Sequence, residues 1–300
     1  MGKIRNIVKE DMVKIFTCST FWLAVLAVAA IALTGTVTKD MGNNSYTIFD
    51  LVSKFTNEQI MYDMIDASAW GIIYKESGSY LWMFVPVLAG MPLVPLLCAE
   101  RKNKAMRYEL IRVGKTKFVI GKMISSMLSG GLVLMLGYAL FSLVIYILMP
   151  IKGDVQGAYA YLDVMIEHHP GFDKIFTKMG FSIILIMKLL LFFVYGAFSA
   201  LMAYVLSSFI TNKYIVLCIP YIANYMICMF VDRQMMRPAF WDNPKWFTDF
   251  VQFFKLDCIT KIYLFNWDYI KGFAIQQLIF LIVGVIIYQV VMRRRCDCGQ

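Results

Sequence analysis

The sequence predicts an all-α polytopic membrane protein with six transmembrane helices, and three observations carry that prediction. Six long apolar runs lie near 20–38, 80–98, 124–149, 183–208, 214–231 and 273–292. Each is close to or above the ~18–20 residues a helix needs to cross ~30 Å of hydrocarbon. The mean hydropathy is +0.65 and only 16% of residues are charged, whereas a soluble domain carries about 25%. Charge also sorts across the runs. Numbered alternately, segments 1–19, 99–123, 209–213 and 293–300 hold 16 Lys/Arg against 5 Asp/Glu, while 39–79, 150–182 and 232–272 hold 12 against 15. Under the positive-inside rule the first set, with both termini, is cytoplasmic. The whole chain, 1–300, reads as a single transmembrane domain.

The net charge of +9 is therefore a topology and headgroup signal, and no nucleic-acid partner is expected. The first run has Ala-rich sequence at Ala27-Val28-Ala29-Ala30, but the charged stretch before it and its continuation past the small residues argue against a signal peptide.

Before that run, Ile4, Ile7, Val8, Met12, Ile15 and Phe16 recur at helical spacing, with Arg5, Lys9, Glu10 and Lys14 mostly off the stripe. Segment 1–19 thus predicts an amphipathic helix lying in the cytoplasmic headgroup layer, in contact with membrane lipid. The second run contains Pro86, Pro92 and Pro95, each removing a backbone hydrogen bond, so a kinked span is expected whose freed carbonyls need neighbours. Ser129-Gly130-Gly131 and Gly137 in the third run allow another helix to approach closely.

Between the first two runs, segment 39–79 carries turn residues at Gly42-Asn43-Asn44. Segment 232–272 gathers Trp241, Trp246, Phe247, Phe250, Phe253, Phe254 and Trp267. Short external helices, interfacial or partly re-entrant, are the natural reading of such an aromatic belt.

Catalytic chemistry is hard to find. Gly114-Lys115-Thr116 resembles the end of a phosphate loop, but Glu109 stands where that motif needs glycine. No zinc helix, nucleophile elbow or paired intramembrane carboxylate occurs. His168-His169 lacks a regular ligand spacing, and Cys296-Asp297-Cys298 offers two thiols on a terminal tail. The chain is read as non-enzymatic, without a metal or cofactor of its own. Lys188 is expected to snorkel to the outer interface. Asn224, with Tyr221 and Tyr225, stands near mid-membrane in the fifth run, where it either bridges helices or lines a translocation path.

The segment 99–123 is longer than a connection requires. Residues 103–112 lack Pro and Gly, and Gly114 is a helix stop. A short helix results, with Met106, Leu110 and Val113 on one stripe and Arg107, Glu109 and Arg112 on a charged face. Such a helix, held off the membrane, suits a groove on a soluble protein; the other reading is a basic loop on anionic lipid.

With its amphipathic lead-in, six runs and long basic loop after the second, the chain resembles the permease subunit of ABC-2 type transporters. The local echoes are Glu100-Arg101, then Arg107 to Lys122 with Ile111-Arg112-x-Gly114-Lys115 and a terminal Gly121-Lys122. Where that family often shows Gly-Thr, this chain has Ala105-Met106. The resemblance implies a cell-membrane exporter subunit, paired with a second copy or a homologous permease, and two cytoplasmic ABC ATPase subunits that bind ATP and Mg. It implies a coupling helix within 100–115, where Glu100, Arg101, Arg107, Glu109, Leu110 and Arg112 contact the ATPase. Tyr221, Asn224 and Tyr225 are the expected path residues. A channel, a secondary carrier and a non-transporting membrane anchor are the competing readings.

Overall fold

The computed structural model describes residues 2–39, 45–55, 69, 72–73, 81–103, 105–149, 173–237, 244, 246–248, 251, 275, 278–279 and 281–290, with side chains at all of these except 2–3, 37–39, 45, 105–107, 110 and 173–184. The fold is mostly helical. The helices are α1 (Gly2–Thr17), α2 (Ser19–Leu33), α3 (Ile48–Lys54), α4 (Leu81–Gly90), α5 (Val94–Lys102), α6 (Ala105–Val113), α7 (Lys115–Leu148), α8 (Asp173–Ser207) and α9 (Lys213–Met235); a further apolar helix, α10, covers Leu281–Val290. Between α2 and α3 a two-stranded antiparallel ribbon pairs β1 (Thr36–Lys39) with β2 (Ser45–Thr47). The all-α expectation did not include it. Thr36, Val37 and Thr38 are β-branched residues of high strand propensity, and they were counted as the tail of the first apolar run.

Among the described residues, four helices are long and apolar enough to cross a membrane: Leu81–Lys102, Lys115–Leu148, Leu185–Ser207 and Lys213–Met235. A fifth crossing results if α1 and α2, which meet at a 67° bend, form one span. The expected count of six is thus met only in part. The first run stops at Leu33, giving a helix of 15 residues, about 22 Å long at ~1.5 Å per residue, short of the ~30 Å core. Of the sixth run, the described part is α10 with residues 275, 278 and 279 before it.

Helix α7 is the central element, packed against α8, α2, α1 and α4. Its glycines set the closest approaches. A Cβ on Gly130 would stand 2.5 Å from the Ala200 Cβ and 2.8 Å from the Gly196 carbonyl oxygen, and one on Gly137 would stand 2.4 Å from the Val28 Cβ. Only glycine lets the α8 and α2 backbones come this near, the small-residue packing that joins helices in lipid. Around the crossing lie buried Val25, Val28, Val133, Leu134, Tyr138, Phe141 and Phe192, with the Tyr138 and Phe192 rings stacked at 4.2 Å. At the other end of α8, Tyr204 stacks on Tyr288 of α10 at 4.4 Å.

The second span is interrupted by a turn yet remains one crossing of 22 residues, Leu81–Lys102. Pro86 lies inside α4, and residues 91–93 form a turn before α5 begins with proline in its first positions. Pro86 has no N–H to offer the carbonyl four residues before it, that of Trp82. The Asn224 Nδ2 donates to that same Trp82 oxygen at 3.2 Å. The freed carbonyl is satisfied by a neighbouring helix, as a lipid-embedded break requires.

Candidate functional site

At one end of the bundle, α1, α5, α6 and the first turns of α7 converge. Helix α7 has 34 residues, about 51 Å at ~1.5 Å per residue. It therefore outruns a ~30 Å hydrocarbon core, and its N-terminal turns can stand in the headgroup zone. The sequence placed the start of this span at 124, about two turns further along.

Two turns into α7, the Lys122 side chain is only 1% exposed. A buried ammonium needs carboxylates and hydrogen bonds around it to offset its lost hydration. Three elements supply them. Asp11 of α1 accepts at 2.8 Å and Glu100 of α5 at 2.9 Å, and Glu109 of α6 stands 3.6 Å away. Lys14, one turn after Asp11 on α1, closes the outer edge, 3.2 Å from Glu100 and 4.0 Å from Glu109. The Phe118 ring covers the Lys122 ammonium at 5.6 Å. The second carboxylate oxygen of Asp11 is buried and has no hydrogen-bond partner among the described residues.

Local sequence explains this convergence. Ile7, Asp11 and Ile15 follow at intervals of four, so they line one face of α1, and all three are buried. Ile7 seats on Gly121: a Cβ there would lie 3.1 Å from the Ile7 Cγ2. That contact brings Asp11 to Lys122, the next residue on α7. Asp11 was missed in the sequence. Its signal was an acid centred in the apolar stripe of α1, a place where a carboxylate survives only with a cation to meet it.

Neighbouring contacts fix the rest of this end. Arg101, in the last turn of α5, donates through Nη1 to the Ser207 carbonyl at the end of α8, filling one of the acceptors a helix C-terminus leaves open. Tyr204 donates to the Val119 carbonyl of α7 at 3.0 Å.

Helix α6 appears where the sequence placed a short helix, and Gly114 ends it with a φ of 93°, a conformation that favours glycine. Its described side chains divide cleanly. Glu109 turns toward Lys122, while Tyr108 (78% exposed) and Ile111 (84% exposed) face outward together with exposed Arg112. Glu109 therefore belongs to an inward face and not to an outward charged one. The side chains of Arg107 and Leu110, and of Met106 on the expected apolar stripe, lie outside the described residues. Of the expected coupling residues, the structure brings Glu100 and Glu109 together on Lys122, turns Arg101 to α8 and leaves Arg112 on the surface.

The expected path residues sit elsewhere. Asn224 is 3% exposed and spends its amide on the Trp82 carbonyl, and the Tyr221 ring lies against Phe84 at 5.3 Å. Tyr225, one residue on, is half-buried. These contacts tie α9 to the broken α4.

Lys188 does not reach the interface as expected. Helix α8 begins at Asp173, so Lys188 stands well inside the helix and is 2% exposed. Its Nζ donates to the Ile73 carbonyl at 2.8 Å and lies 5.1 Å from the Tyr138 ring, whose hydroxyl donates to the same carbonyl.

From the aromatic segment, Phe247 packs with Val251 on Ile227, Val231 and Met235 of α9, while Trp246 is exposed. Trp241, Phe250, Phe253, Phe254 and Trp267, with His168, His169, Cys296 and Cys298, lie outside the described residues. No grouping of three or more His, Cys, Asp or Glu that would hold a metal occurs among the described residues. No family model, no curated protein and no solved structure matches this chain.

Proposed function

We propose that this chain is the membrane-spanning permease subunit of an ABC-2 type exporter, working as a pair in the cell membrane with both termini in the cytoplasm. Two separate ATPase subunits would bind ATP and Mg and hydrolyse the nucleotide; this chain would supply the path and the coupling contact. The observation that carries the proposal is α6. It is a two-and-a-half-turn helix at the basic end of the bundle, with Tyr108, Ile111 and Arg112 outward and Glu109 anchored inward.

An exposed Tyr and Ile one turn apart make little sense on a helix that faces only water. They make good sense as anchors for an apolar groove on a partner. Closure of the ATPases on nucleotide would then displace α6. Such a ligand shifts the permease only by its unequal affinity for the two conformations, so the α6 contact is where coupling is won or lost.

The test is purification of the tagged chain in mild detergent from cells that express it with its natural neighbours. We expect an ATP-hydrolysing subunit in stoichiometric amount. In the double variant Tyr108→Asp, Ile111→Asp the retained ATPase should fall at least about tenfold, the loss of roughly one interface hot spot, while the chain stays monodisperse. Full retention by that variant, or the absence of any ATPase from the native preparation, would overturn the proposal.

A further inference from the structure

We infer that Lys122 is a positioning residue that couples α6 to α1, so that a displacement of α6 is passed to α1 and α2 instead of being absorbed at the ends of α6. The functional weight of this coupling rests on the docking role given to α6; the coupling itself does not.

The argument begins with how weakly α6 is held by its own chain. On one side it joins α5 through residues 103–104, and on the other it joins α7 through Gly114, whose positive φ marks a sharp change of direction. It packs chiefly on its chain neighbours α5 and α7. A nine-residue helix takes its position from what its side chains grip. Among its described side chains, Glu109 supplies an ionic grip. Glu109 is held by Lys122 from α7 and by Lys14 from α1, and both lysines also hold Glu100.

Lys122 is the shared member. It makes the two shortest contacts in the cluster, to α1 and α5, from a position that water does not reach. Removing it would leave Asp11, Glu100 and Glu109 facing one another with Lys14 as the remaining cation of the cluster. Like charges at such distances repel, so α1 and α6 would both be released.

From α1 the displacement has a stiff route onward. The 67° bend to α2 at Cys18 is braced rather than loose. The Trp22 indole donates to the Phe16 carbonyl at 3.0 Å, and the Phe16 and Phe21 rings meet edge-on at 5.1 Å. Beyond the bend, α2 lies against α7 at the Gly137–Val28 contact. Sequence separation hides all of this, since Asp11 and Lys122 are 111 residues apart.

Amide hydrogen exchange of the full chain alone in lipid nanodiscs tests the inference without any ATPase, because it reads local opening element by element. Lys122→Met should raise exchange at least about tenfold in both α1 and α6, with the α7–α8 crossing at Gly130 unchanged, and Lys122→Arg should restore most of the protection. The deciding measurement is a cycle with Glu109→Gln, a change confined to α6. With Lys122 present it should raise exchange in α1 roughly threefold, and with Lys122→Met it should add nothing further, the non-additivity expected of coupled groups. A merely local role for Lys122 would give additive effects. If Glu109→Gln leaves α1 exchange unchanged while Lys122 is present, the coupling does not exist. Should Lys122→Met fail to fold, the pair Asp11→Asn and Glu109→Gln gives the same cycle, and independent effects on α1 would overturn the inference.

Discussion

Among the described residues, two lysines are buried on the long helices, Lys122 and Lys188, and their surroundings differ. Lys122, near the start of α7, is met by carboxylates from α1, α5 and α6. Lys188, within α8, donates to the carbonyl of Ile73 and lies over the ring of Tyr138. The first gathers charges from elements far apart in sequence into one cluster. The second, with the Tyr138 hydroxyl, gives a single carbonyl two donors and so anchors one short stretch of backbone to α7 and α8. A buried cation is costly in either place. The fold accepts that cost once to join several helices and once to tether a segment.

The sharpest way to break this comparison is to remove each ammonium in turn. Lys122→Met should destabilise by about 3–5 kcal/mol, the usual cost of breaking a buried ion pair by deleting one partner, because carboxylates are left unpaired. Lys188→Met should cost about 1–3 kcal/mol for its hydrogen bond to the Ile73 carbonyl, which Tyr138 still serves. Thermal unfolding of the two detergent-purified variants, side by side, checks the order. An equal or larger loss at Lys188 would show that the two sites are not distinguished by their partners in this way. Combining Lys188→Met with Tyr138→Phe should deepen the loss, because the carbonyl then has neither donor.

How much of this was legible in the sequence follows from the range of the forces involved. Helix periodicity and charge sorting are local, and they placed α1, α6 and α9 within a few residues. The proline-broken second span and the glycine contacts of α7 were also legible, since each follows from one residue's own chemistry. Lys122 was visible as the lysine of a Gly-Lys pair, and Glu100 as the acid leaving the second run. Their meeting was not visible, because it depends on Ile7 seating against Gly121, a contact across more than a hundred residues. Asp11 was misjudged by omission: the apolar stripe of α1 was drawn around it. Lys188 lies deeper than its apolar run implies, because α8 extends into polar sequence before that run. The β-ribbon was lost inside a run defined only by hydropathy.

An exposed pair completes the comparison and gives the smallest expected effect. Asp50 and Lys54 sit one turn apart on α3, 2.8 Å from each other. Asp50 also closes a capping box with Thr47, whose hydroxyl and backbone N–H both donate to it. The Lys54 ammonium, followed by those Thr47 groups, pulls the Asp50 carboxyl from the ordinary 3.8 down to about 2, and Lys54 is raised in turn. The sign follows from linkage: a carboxyl whose folded value is depressed contributes stability above its unfolded value, and that contribution fades as pH falls through 3.8 toward about 2. The lysine contribution holds at low pH and is lost only as pH rises past its raised value. The amide resonances of Thr47 and Asp50, followed by selective isotope labelling from about pH 6 to about pH 2, should titrate below the ordinary aspartate range. Lys54→Met should move that midpoint back up. A surface pair of this kind is screened by salt, so raising the ionic strength should also lift the midpoint. The buried pairing of Lys122 with Asp11 and Glu100 should keep its exchange protection under the same salt, and equal salt sensitivity at the two places would mean that burial does not set them apart.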